Sequence, residues 1–123
     1  MQMNKSINVL GEPLVICGED PQTGFFRDGK CNTCAEDLGS HTVCIEASAE
    51  FLQFSQSRGN DLSTPVPEYG FAGIKAGQSW CLCAARWLEA YENDAAPRVH
   101  MTKTHLRALE VIPIELLKRY AVD

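Results

Sequence analysis

The sequence predicts an α+β fold: a small mixed or antiparallel sheet with three to four short helices and long ordered loops. Three observations carry this expectation. Short β-branched runs are interspersed with helical patterns. One stretch around Trp87 shows apolar residues at the i, i+3, i+4, i+7 positions of a buried helix face. Gly, Pro, Asp and Asn crowd residues 8–40, and Pro and Gly recur through 60–77, which reads as loop and turn. At 123 residues with 45% apolar content, residues 1–123 are expected to form a single domain. A chain of this size buries about two thirds of its surface, enough for a core without staples.

Taken in order, Phe25–Cys31 suits a short hairpin, because Asp28-Gly29 is a favoured two-residue turn. Thr42–Glu46 is β-branched and reads as a strand. It leads to Ser48, an N-cap, with Glu50 in the first turn of a helix over Ala49–Arg58 that stops at Gly59. Phe71–Lys75 suits a short edge strand. A helix is expected over Trp80–Asn93, capped by Ser79, with Ala84, Trp87, Leu88 and Tyr91 on its inner face. Pro97 closes the linker after it. Val99 and Met101 alternate with polar residues as a strand does. Thr104–Glu110 suits one short helix and Pro113–Tyr120 a final one, with Pro113 at its first position and Leu116, Leu117 and Tyr120 inward.

The net charge of −5 leaves no basic footprint for nucleic acid. Met1–Gly11 carries one Lys and only short apolar runs, so no export signal is expected. Leu14–Cys17, the longest early apolar stretch, falls far below the ~20 residues of a membrane helix. The expectation is a cytoplasmic protein with no membrane and no nucleic-acid partner, acting on a small molecule or a protein. Six cysteines then count as packing groups, metal ligands or reactive thiols.

Several long strings resemble one bacterial family. They are Thr23-Gly24-Phe25-Phe26-Arg27-Asp28-Gly29, Glu36-Asp37 with His41-Thr42-Val43-Cys44, Gly59-Asn60-Asp61-Leu62-Ser63-Thr64-Pro65, and Trp80-Cys81-Leu82-Cys83-Ala84. The family is the uncharacterised domain of unknown function 2237, and the resemblance spans nearly the whole chain. It implies a small single-domain bacterial protein and supplies no activity. The family pattern tends to have Gly where this chain has Cys34, which sets Cys34 apart from any shared site.

Cys81 is the leading functional candidate. With Ser79 as N-cap it would occupy the second helical position, where unpaired N–H groups and the helix dipole favour a thiolate. It could equally be a small residue buried under Trp80. Cys83, two residues on, would point about 200° away from it in a helix, and its spacing from Trp87 favours the core. His41 at the strand entrance is either a general base or ligand, or a tether for the preceding loop. Sharing one metal between His41 and Cys44 would require a bend or bulge near Thr42. Cys31-Asn32-Thr33-Cys34 has C-x-x-C spacing, but a second such pair is missing, so a loop pair is favoured over a zinc ribbon.

Cys17, Cys31, Cys44, Cys81 and Cys83 form the candidate metal set, with zinc or another thiophilic metal as the expected ion. Arg27 suits a substrate carboxylate or phosphate, or an ion pair with Glu36 or Asp37. Asp28 and Asn60 have ready roles as turn former and helix-end residue, and Asp61 joins them as a loop polar group. His105, beside Thr104 as N-cap, should be neutral; His100 reads as surface. No phosphate loop, nucleophile elbow, H-E-x-x-H or EF-hand spacing occurs. Two functions follow. One is a cysteine-centred metal or thiol site, including Cys81 as a nucleophile with His41 as its base. The other is a non-enzymatic binding module using Trp80, Phe25, Phe26 and Tyr69 as contact aromatics.

Overall fold

The computed structural model describes residues 6–19 and 22–123, so the stretch read for an export signal is described only from Ser6 onward. The fold is α+β. Its centre is β1 (His41–Glu46), flanked by β2 (Ser79–Cys83) and β3 (Arg98–Val99) in the order β2-β1-β3, both pairings antiparallel. Thr42, Val43, Cys44 and Ile45 are all fully buried. A strand covered on both faces favours such a β-branched run. Ile45 pairs with Trp80 and Val43 with Leu82, while Cys44 pairs with Cys81. By strand alternation the cysteines therefore face away from that apolar row.

The register slips once. His41 stands opposite Cys83 while Val43 stands opposite Leu82, so Thr42 is an extra residue on β1. Such a bulge re-aims the side chains beside it. The outer edge of β2 is covered by the N-terminal arm: the buried Thr23 hydroxyl accepts the Cys81 backbone N–H at 2.8 Å.

Helix α1 (Ala49–Ser57) begins where expected. Ser48 caps it by accepting from the Phe51 N–H at 3.1 Å, and Gly59 follows at φ +84°. Helix α2 (Ala84–Glu92) buries Ala84, Trp87 and Ala90. Fully buried Trp87 donates its indole N–H to the Pro97 carbonyl at 3.2 Å and packs against Tyr91 and Tyr120. Helix α3 (Ile114–Arg119) anchors itself through Leu117, with Leu116 and Tyr120 partly buried.

Several expectations are corrected. The helix expected over Trp80–Asn93 starts only at Ala84, because Trp80–Cys83 pairs with β1 as a strand and Ser79 opens that strand instead of capping a helix. Trp80, Cys81 and Leu82 are all buried, and a continuous apolar run carries no period to tell strand from helix. The segment around Asp28-Gly29 is a turn without strands: the Asp28 carboxylate accepts the Lys30 N–H at 3.0 Å, and Gly29 sits at φ +85°. Phe71–Lys75 forms one isolated bridge, Phe71 to Val66. The last strand ends at Val99, and Met101–Lys103 is a 3-10 turn. Leu106–Glu110 is likewise a 3-10 turn, capped by His105 in place of Thr104. Pro113 precedes α3 instead of opening it. Among the described residues, no helix is long and apolar enough to cross a membrane.

Candidate functional site

Four cysteines, Cys17, Cys31, Cys44 and Cys81, form a buried cluster of their own on the face of the sheet opposite the main core. They are joined as two disulfides, Cys17–Cys44 and Cys31–Cys81. The sulfurs of Cys17, Cys31 and Cys81 all lie within 4.8 Å of one another, a group that could hold a metal ion. Each bond ties a residue of the irregular N-terminal arm to a sheet strand. Cys81, the thiolate candidate at a helix N-terminus, is thus buried in β2 and oxidised; its expected helical position does not exist.

The free thiols are Cys34 and Cys83, both half-buried. Cys83, expected in the core beside Trp87, occupies the N-cap position of α2 with φ −55° and ψ 129° and makes no side-chain capping bond. It stands outside the cluster and lines a pocket of about 260 Å³ together with His41, Arg27, Asn60, Trp80 and Arg86.

His41 is fixed in that pocket from below and behind. Its Nδ1 lies 2.7 Å from Oδ1 of Asp37, whose side chain is fully buried. The other Asp37 oxygen accepts the His41 backbone N–H at 2.9 Å and the Thr33 hydroxyl at 3.0 Å. Burial pushes the Asp37 carboxyl upward. The bonds from the His41 side chain and backbone and from Thr33 outweigh it and hold the group below its ordinary value. A carboxylate only accepts, so Nδ1 is the donor to Asp37, and in the neutral ring the lone pair is then on Nε2. Gly39 lies against the ring; a Cβ there would come within 2.8 Å of its Cε1. The Phe25 ring stacks on His41 at 6.4 Å between centroids.

A second cavity, of about 660 Å³, shares Arg27, Leu62 and Trp80 with the first and is walled further by Val66, Tyr69 and Phe71. Arg27 stands at the junction. Its guanidinium lies over the Trp80 ring at 5.3 Å from the centroid, and its Nη1 donates to the Gly24 carbonyl at 2.7 Å. The ion pair considered with Glu36 or Asp37 does not form, since Asp37 is taken by His41.

The other candidates serve the loops. Asp28 accepts from Lys30 and Asn32. Asp61 accepts from Ser63 and Thr64, and bonds from Thr64 and Ser63 lower its carboxyl. Asn60 closes α1 through its backbone, donating to the Ser55 carbonyl and accepting from the Ser55 hydroxyl, and also lines the pocket. His105 accepts the Arg107 N–H through Nδ1 at 3.0 Å. Burial first, then Arg107, lowers its imidazole against the pull of Glu110, in keeping with a neutral ring. His100, expected at the surface, is half-buried. Of the contact aromatics, Trp80 is buried while Phe25, Phe26 and Tyr69 are exposed.

Asp37 and Cys83 are the residues sequence reasoning underrated. The available signal was that every lining residue of the smaller pocket except Arg86 falls inside the strings that carry the family resemblance. The family model for an uncharacterised protein conserved in bacteria (DUF2237) matches residues 7–121. No curated protein matches the chain.

Proposed function

The chain belongs to this uncharacterised bacterial family, and from its pocket we propose that it is a cysteine-dependent acyl-transfer enzyme. Cys83 is the nucleophile, His41 the general base, and Asp37 a positioning residue. One observation carries this reading: a free thiol at a helix N-cap stands opposite, in strand register, a histidine whose Nδ1 is held by a buried carboxylate. The two side chains also line one small pocket. The N-cap makes no side-chain bond. The Ala84 N–H is taken by the Ser40 carbonyl at 3.0 Å, which leaves the Ala85 and Arg86 N–H groups of α2 to receive a developing oxyanion.

In the proposed reaction Nε2 of His41 takes the thiol proton as Sγ attacks the carbonyl carbon of an ester, thioester or amide. The C–S bond forms while the carbonyl π electrons move to oxygen. Collapse expels the leaving group, which takes the proton back from His41. Water then attacks the thioester with His41 again as base, and the C–S bond breaks to return the thiol and a carboxylic acid. The substrate is a small molecule; nothing in the charge balance favours nucleic acid. The test is p-nitrophenyl acetate with acid quenching and peptide mapping. Acetylation of Cys83, lost in His41→Asn, is the expected result. Equal labelling of Cys34, or none at either thiol, would favour the binding-module reading instead.

A second reading rests on the three close sulfurs. Disulfides persist in oxidising compartments, whereas a cytoplasmic location implies thiols. A dithiol reductant would supply four electrons and four protons to the two disulfides and leave four thiols. A zinc ion binding the thiolates of Cys17, Cys31 and Cys81 would release three protons and leave its fourth position to water or to the Cys44 thiolate. Native mass spectrometry after reduction with excess zinc, then desalting, tests this. A retained single zinc supports the reading, and a metal-free mass removes it.

A further inference from the structure

We propose that the pocket selects acyl substrates bearing an anionic group close to the reacting carbon, with Arg27 as the anion anchor and an apolar substituent in the larger cavity. This deepens the reading of Cys83 as nucleophile and rests on it for the position of the reacting carbon. The anion site itself stands on separate observations.

Arg27 is held in place before any ligand arrives. Its backbone is left-handed at φ +54°, an uncommon state for a side chain other than glycine. Two bonds to one acceptor fix the segment: its N–H donates to the Gly24 carbonyl at 3.0 Å and its Nη1 donates to the same oxygen at 2.7 Å. The guanidinium then lies over Trp80. Among the described residues no carboxylate pairs with it. A charge arranged this way keeps most of its donors for a ligand, and a guanidinium matches a carboxylate or phosphate.

The surrounding charges favour the side of Arg27 that faces Cys83. Among the described residues, the smaller pocket is lined by Arg27, Arg86 and His41 and by no carboxylate. Arg86 is partly satisfied by Glu89 at 3.3 Å, so Arg27 is the stronger anchor. Glu19 lines only the larger cavity, where it repels a second anion. The larger cavity offers Leu62, Val66, Phe71 and the Trp80 face, which suit an alkyl or aryl group. Because Arg27 lines both cavities, the substrate is ordered as apolar group, anion, reacting carbonyl.

The experiment compares charged and neutral isosteres on the intact chain. Phenylacetate and phenylacetamide are titrated while Trp emission is followed, in the native chain and in Arg27→Gln. The expected result is at least about tenfold tighter binding of phenylacetate, the difference one charge-assisted hydrogen bond supplies, and its collapse in Arg27→Gln. Equal affinity for the two, or an unchanged preference in the variant, overturns the proposal. Alkylation separates this from the nucleophile reading. Iodoacetate and iodoacetamide are compared at Cys83, with Cys34 in the same sample as reference. A raised iodoacetate preference at Cys83 alone joins anion and nucleophile in one site. An inert Cys83 beside intact phenylacetate selectivity refutes the nucleophile and leaves the anion site standing.

Discussion

Asp37→Asn isolates the base from the fold. The carboxylate accepts from His41 Nδ1 at 2.7 Å through one oxygen, and from the His41 N–H and the Thr33 hydroxyl through the other. An asparagine that keeps its oxygen on the second pair turns its NH₂ toward Nδ1. Two donors then face each other unless the imidazole changes tautomer, which moves the proton to Nε2 and removes the lone pair aimed at the pocket. The stability cost is one charged bond exchanged for a neutral one, about 1–2 kcal/mol. Asp37→Ala strands all three donors and should cost more, about 3–4 kcal/mol. The kinetic effect has a ceiling. An ordinary thiol is about 3% ionised at pH 7, so full activation raises alkylation at most about thirtyfold. Asp37→Asn should therefore slow iodoacetamide modification of Cys83 by about tenfold, with Cys34 unchanged. Rates come from intact-mass time courses, and stability from urea unfolding of the same samples. An unchanged Cys83 rate in a folded variant would refute the role given to Asp37.

Further outcomes are expected. Gly39→Ala pushes a Cβ within 2.8 Å of the His41 ring without placing alanine in left-handed backbone. The ring should shift and Cys83 alkylation fall by about tenfold, while urea unfolding moves by less than about 1 kcal/mol. The Cys31–Cys81 bond closes a separation of 50 residues and Cys17–Cys44 one of 27. Chain entropy puts these at about 4 and 3.5 kcal/mol, so Cys31→Ala/Cys81→Ala should lower the unfolding free energy by about 4 kcal/mol, and an unchanged midpoint contradicts the pairing. Acid should destabilise in two stages. Burial and then Lys103 lower His100, and burial and then Arg107 lower His105, so below their ordinary 6.5 the unfolded chain binds protons first and stability falls. Asp37 and Asp123 lie below their ordinary 3.8, which adds a second loss as pH falls through that value. Flat stability between about pH 8 and 5 would contradict the histidine part.

Local signals made some of this legible. Ser48, Glu50 and Gly59 bracket α1 because capping is decided by a few neighbouring residues. The start of α2 was hidden, since Trp80–Leu82 is apolar on every side and its strand state depends on β1, some forty residues earlier in sequence by rough count. The same error hid the thiol. With Cys83 inside a helix it belonged to the core, whereas at a strand-to-helix junction it opens onto the pocket. A metal shared by His41 and Cys44 requires a bend or bulge near Thr42. The bulge exists, and it sets His41 opposite Cys83 in register. Asp37 was read only as a partner for Arg27, because nothing in a loop's composition tells which residue its carboxylate will cap. Cysteine spacing cannot supply connectivity at all, since six cysteines allow fifteen pairings.

The two sulfur systems are mechanically linked. Phe25 and Arg27, which contact His41 and Trp80, belong to an arm with almost no regular structure, so its placement costs backbone entropy that its anchors must offset. Among the described residues its anchors to the sheet strands include Cys17, Cys31 and the Thr23 hydroxyl on Cys81. Cutting the sulfur links leaves the Thr23 bond and the Phe25 and Arg27 ring contacts to hold Arg27 over the pocket, whereas Cys83, His41 and Asp37 keep their places through β1, β2 and the turn before β1. Loss of the cluster should therefore erase anion selectivity sooner than thiol reactivity. Two disulfides and one zinc restrain the arm equally well in this respect, so the selectivity of Cys83 for iodoacetate over iodoacetamide reports whether the cluster is linked, whichever chemistry links it.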